Sequence, residues 1–95
     1  MEKILIIVDM QNDFTNGVLG NAECEATVPK IVKLIENSSY DRVILTRDTH
    51  RENYLDTQEG RKLPVPHCLE NSAGWQIRDE IMDAVKAHYS NPEII

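Results

Sequence analysis

Cysteine is scarce in this 95-residue chain. Only Cys24 and Cys68 are present, too few for a disulfide framework, and this predicts a reducing, cytoplasmic setting. Basic side chains are outnumbered, 10 against 16 acidic ones, for a net charge of −6. That balance excludes nucleic acid as a partner, because phosphate binding needs a surplus of Lys and Arg. No apolar run approaches the roughly 18 residues of a membrane-spanning helix. The opening run Ile4 to Val8 is too short, and too soon followed by Asp9, for a signal peptide. Aliphatic residues are plentiful and clustered, which excludes disorder. The length allows one small domain, residues 1–95, with no repeat, linker or low-complexity tract.

Ile4-Leu5-Ile6-Ile7-Val8 is an unbroken aliphatic run, as is Val43-Ile44-Leu45 within Arg42–Thr46. Such runs read as strands buried on both faces, since a half-exposed strand alternates. Between them Val28, Ile31, Val32 and Ile35 fall at helical spacing, with Pro29 fitting only a first turn and Asn37-Ser38-Ser39 ending the helix. Strand, helix, strand at this separation predicts a βαβ unit with a right-handed crossover and a parallel sheet. Residues 48–72 lose periodicity and read as a long loop, either functional or disordered. A second helix is expected over 74–87, with Trp75, Ile77, Ile81, Met82 and Val85 as its apolar stripe. Glu93-Ile94-Ile95 reads as the start of a third strand. So small a sheet leaves open edges, so either a partner covers them or the chain is part of a domain.

Ligands of open α/β sheets bind at the carboxyl ends of the strands. Asp9 follows the first strand there, placed for acid–base work or, equally, for capping a turn. The second strand ends in Thr46-Arg47-Asp48-Thr49-His50. In extended backbone Asp48 and His50 project on one side and can share an ion. With His67 and Glu59 from the loop they make a credible site for zinc, iron or manganese. The competing account is a turn-capping Asp48 with solvated histidines. His67-Cys68 invites a Cys–His nucleophile, but catalytic pairs are seldom adjacent in sequence, and Cys68 and Cys24 read as packed residues. His88 reads as a cation at a helix C-terminus and Trp75 as core.

Three blocks carry a resemblance: Val8-Asp9-Met10-Gln11-Asn12-Asp13-Phe14 with Gly17; Thr46-Arg47-Asp48-Thr49-His50; and Leu63-Pro64-Val65-Pro66-His67-Cys68 before Gly74-Trp75. In this order they resemble the isochorismatase-like cysteine hydrolases, the superfamily that includes nicotinamidases. The resemblance implies a three-layer α/β/α fold with a parallel sheet, here its N-terminal half. It makes Asp9 the general base of a Cys–Asp–Lys triad and Phe14 a wall of the substrate pocket. It makes Asp48, His50 and His67 the ligands of a divalent metal, foremost zinc, joined by Glu59 in some members. The implied reaction is attack of a cysteine thiolate on a small-molecule amide, release of ammonia and hydrolysis of the thioester. In family members, which are longer, the Lys follows a strand like the one starting at Glu93 and the nucleophilic Cys comes later. Cys68 holds a non-catalytic position, and the position of a nicotinamide-stacking Trp falls near Pro64. The expectation is a truncated amidase-type hydrolase, inactive alone, with homo-oligomers as the family precedent. The alternative is an inactive metal- or ligand-binding module that pairs with another chain.

Overall fold

The computed structural model describes residues 2–95. Strands β1 (Ile4–Ile7), β2 (Arg42–Leu45) and β3 (Glu93–Ile94) form one sheet in the order β1-β2-β3. Both pairings are parallel, with Ile4 opposite Arg42, Ile7 opposite Leu45, and Leu45 opposite Ile94. Helices α1 (Asn12–Thr15) and α2 (Ala22–Asn37) lie between β1 and β2. After β2 come a 3-10 turn (Tyr54–Asp56), α3 (Gln58–Lys62) and α4 (Asp79–His88). The predicted βαβ unit and third strand are therefore present.

Helices α2 and α4 pack together on one face of the sheet. Val28 and Ile35 from α2, Ile81, Ala84 and Val85 from α4, and Ile7, Val43 and Leu45 from the strands form the core with Ile77. Each large aliphatic contributes roughly 1.5–3 kcal/mol by leaving water. The other face departs from expectation. Ile4, Ile6 and Val8 are 43%, 56% and 63% exposed, so β1 is buried on one face only. Among the described residues no helix covers that side, and alternation reappears as Leu5 and Ile7 inward, Ile4 and Ile6 outward.

Two helix readings also need correction. The helix α2 begins at Ala22, where the Asn21 side chain accepts the Cys24 N–H (2.8 Å), which places Pro29 in its interior. Pro29 is exposed, so its ring displaces no core side chain, while Val28 and Ile35 hold the inner face. The second helix starts at Asp79, not near Gly74. Ile77 is spent on a bridge to Gln11, and the Asn12 N–H reaches the Gln76 carbonyl (3.0 Å). Trp75 lies in a turn outside the core, its indole N–H donating to Thr49 (2.7 Å) and its ring under the Arg47 guanidinium at 3.9 Å. The loop of residues 48–72 carries two short helical pieces, α3 being capped by Thr57, whose hydroxyl accepts the Gly60 N–H (3.1 Å).

Candidate functional site

The carboxyl ends of β1 and β2 lie side by side because the strands are parallel and in register. Asp9 follows β1 in the left-handed region, with φ 50°. A non-glycine residue holds that backbone only when its surroundings fix it. The Thr46 side chain does so: its hydroxyl accepts the Asp9 N–H (3.0 Å) and donates to Asp9 Oδ1 (2.7 Å). The carboxylate is thus oriented at the sheet edge, and Asp48 follows two residues after its partner.

Asp48, His50 and His67 converge, with one donor atom from each lying within 4.8 Å of the others. His50 Nε2 is 3.0 Å from Asp48 Oδ2 and 3.3 Å from Glu59 Oε2, and His67 Nε2 is 3.5 Å from Asp48 Oδ2. Glu59 reaches the cluster from α3 and is more exposed than the other members. Nδ1 of His67 lies 2.7 Å from the Val65 carbonyl. A carbonyl only accepts, so this nitrogen carries a proton, and Nε2 is the ring nitrogen that faces the cluster. That is the arrangement a metal-ligating imidazole needs, and two imidazoles with carboxylates match the donors of zinc, iron or manganese.

Aromatic rings wall this cluster. Phe14 stands edge-on to His67 with ring centroids 5.5 Å apart. Tyr54 packs edge-on against both His50 (4.8 Å) and His67 (5.1 Å), and its hydroxyl donates to the Leu63 carbonyl (2.7 Å). Removal from water, then the charges of Glu59 and Asp48, push the Tyr54 phenol up from its ordinary value. Reading residues 48–72 as polar loop misses Tyr54.

Two residues beside Asp9 also bear on the cluster. Gln11 is wholly buried. Its amide donates to the Asp48 carbonyl (2.9 Å) and the Trp75 carbonyl (2.7 Å), and its oxygen accepts the Asp48 N–H (2.9 Å). Asp13 accepts the Cys68 N–H (2.7 Å). Both stand in the first block, where sequence alone gives no sign of burial.

Cys68 is fully buried. Burial foremost, then the charges of Asp13, Asp48 and Asp9, push its thiol up to about 12. A thiol in that state is a neutral packing group rather than a nucleophile. Cys24 lies in the first turn of α2, and His88 ends α4 as expected.

Residues 3–90 match the isochorismatase domain family. The nicotinamidase of Saccharomyces cerevisiae is 33% identical over 112 residues, which take in 87% of this chain and 51% of that protein. The nicotinamidase of Schizosaccharomyces pombe is 42% identical over 67 residues, 65% of this chain and 30% of that one. The yeast nicotinamidase structure with the inhibitor nicotinaldehyde has a TM-score of 0.78 at 28% identity, covering 98% of this chain and 55% of that one. The zinc complex of the Pyrococcus horikoshii pyrazinamidase gives 0.66 at 30% identity, covering 100% and 51%. The chain spans about half the length of the Saccharomyces relative.

Proposed function

The chain belongs to the isochorismatase domain family, and we propose that it supplies the base and the metal-binding side of a cysteine hydrolase cleaving the C–N bond of a small amide. The observation that carries this reading is the meeting of Asp48, His50 and His67 at the strand ends that also hold Asp9. Relatives named as nicotinamidases and a pyrazinamidase support a carboxamide substrate.

Asp9 is the general base. It takes the proton of a cysteine thiol supplied by sequence outside residues 1–95, and the thiolate attacks the amide carbonyl. The proton passes to the departing nitrogen, ammonia leaves, and the acyl group remains as a thioester. Asp9 then takes a proton from water, whose oxygen displaces the thiolate. Asp48, His50 and His67, with Glu59 beside them, hold a divalent ion, foremost zinc. When bound, that ion would supply positive charge that polarises and orients a polar substrate atom. Phe14 forms a pocket wall against His67.

Zinc titration tests the metal half of this reading. The chain should bind one equivalent, and a His50→Ala, His67→Ala double variant should lose it; equal binding by that variant removes the site. Coordination needs neutral imidazoles and releases protons, so affinity should fall as the solution is acidified.

A second reading, a metal-binding module that pairs with another chain, is favoured by the bare face carrying Ile4, Ile6 and Val8. An in-frame continuation encoding a Lys and a Cys supports the hydrolase; a stop codon after Ile95 supports the module.

A further inference from the structure

We infer that Asp13 is a positioning residue of the metal site: by holding the Cys68 N–H it sets where His50 and His67 stand relative to each other. This rests on the metal reading of Asp48, His50 and His67. Cys68 is the node between the two histidines. Its nitrogen is bonded to the His67 carbonyl carbon, so fixing that peptide fixes the backbone that carries His67. Its carbonyl accepts the His50 N–H (2.9 Å), and the His50 carbonyl accepts the Glu70 N–H (2.8 Å). The node is held in the left-handed region, with φ 48° at a non-glycine residue. Such backbone relaxes unless a partner enforces it. The Asp13 carboxylate is that partner, at 2.7 Å from the Cys68 nitrogen.

Asp13 is itself confined. Its own N–H donates to the Gly74 carbonyl (3.0 Å). A Cβ at Gly74 would collide with Oδ1 and Oδ2 of Asp13, and one at Gly17 would meet Oδ1 at 2.6 Å. Two glycines thus leave room for the carboxylate and for nothing more. The bond is charge-assisted and partly buried, so its loss is not made good by water at equal strength.

Three variants of the chain test this, each read by zinc titration against a competing chelator and, in the metal-free protein, by amide hydrogen exchange at Cys68. Asp13→Ala should raise the zinc dissociation constant about 10–100-fold and remove exchange protection at Cys68. Asp13→Asn keeps an oxygen acceptor and should stay within about threefold of the parent. Gly74→Ala leaves Asp13 chemically intact but displaces its carboxylate, and should weaken zinc while deprotecting Cys68. Should Asp13→Ala fail to fold, the other two still decide. Parent-like zinc affinity in Asp13→Ala or Gly74→Ala overturns the inference, as does an Asp13→Asn chain as weak as Asp13→Ala. A parent that takes up no zinc removes the metal reading itself, an outcome distinct from these.

Discussion

Gln11 gives up every contact with water and in return carries three hydrogen bonds, two of them across the cleft between the two strand ends. Two of them close a ring with the backbone N–H and carbonyl of Asp48, as a neighbouring strand would. The third holds the Trp75 carbonyl. Gln11→Ala therefore strips partners from three backbone groups. An unsatisfied group costs about 1–3 kcal/mol, and partial access of water brings the expected total to roughly 3 kcal/mol. Gln11→Glu should be no better, because a carboxylate cannot donate to two carbonyls. Denaturant midpoints of both variants check this, and a loss under about 0.5 kcal/mol for Gln11→Ala would show the bonds to be dispensable. At this scale the proposed metal donors are legible in sequence, since Asp48 and His50 stand two apart after a strand and His67 is one of three histidines. Their clamps are not. Gln11 and Asp13 are ordinary loop residues until tertiary packing buries one and brings the other to Cys68, 55 positions away.

Elements show the same division between pattern and packing. The strands β1 and β2 are legible because β-branched runs have few other uses, and β3 because Asn91-Pro92 ends the preceding segment. The helix boundaries are not, because Trp75 and Ile77 have helical spacing with α4 but are held by Gln11 of the first block, through the Trp75 carbonyl and the bridge to Ile77. Pro29 misleads in the opposite direction. It sits exposed inside α2 and leaves the Glu25 carbonyl without its helical N–H partner. Pro29→Ala should stabilise the chain by about 1–3 kcal/mol; an unchanged melting midpoint would mean that α2 already absorbs the defect. Arg78 knits the helices together. Its guanidinium pairs with Glu25 of α2 and Glu80 of α4 and donates to the Thr15 hydroxyl of α1 (3.2 Å). The arginine is buried while both glutamates are half exposed. Arg78→Ala should cost about 2 kcal/mol through lost charge-assisted bonds, and Glu80→Gln about 0.5. The Arg78 hydrogen bond holds the Glu80 carboxyl below its ordinary value. A lowered folded value contributes stability above the unfolded pKa, near 4.3 for Glu, and that contribution fades as pH falls through the folded one. Acid titration of stability should therefore be shallower in Arg78→Ala than in the parent.

The whole molecule is a helix layer on one side of a three-stranded sheet, with apolar residues bare on the other and a net charge of −6. The proposed metal donors Asp48, His50 and His67 and the proposed base Asp9 lie together at its strand ends. Asp9 can work as a base only on a proton within hydrogen-bond reach, roughly 2.6–3.2 Å, and its carboxylate is already aligned by Thr46. Of the two cysteines, Cys68 is closed to solvent and its thiol is pushed up to about 12. At neutral pH that thiol stays protonated. Cys24 belongs to α2, where its backbone N–H is spent on the Asn21 cap. Residues 1–95 alone should accordingly release ammonia from nicotinamide or pyrazinamide no faster than buffer. Joined to an in-frame continuation carrying a Lys and a Cys, the same residues should become active, and Asp9→Asn should then cost several orders of magnitude, as loss of a triad member does. An ammonia assay on the short chain, the extended chain and its Asp9→Asn variant makes the comparison. Activity in the short chain that falls with Cys68→Ala or Cys24→Ala would give the nucleophile to one of these two residues and overturn the proposal that the thiol comes from sequence outside residues 1–95.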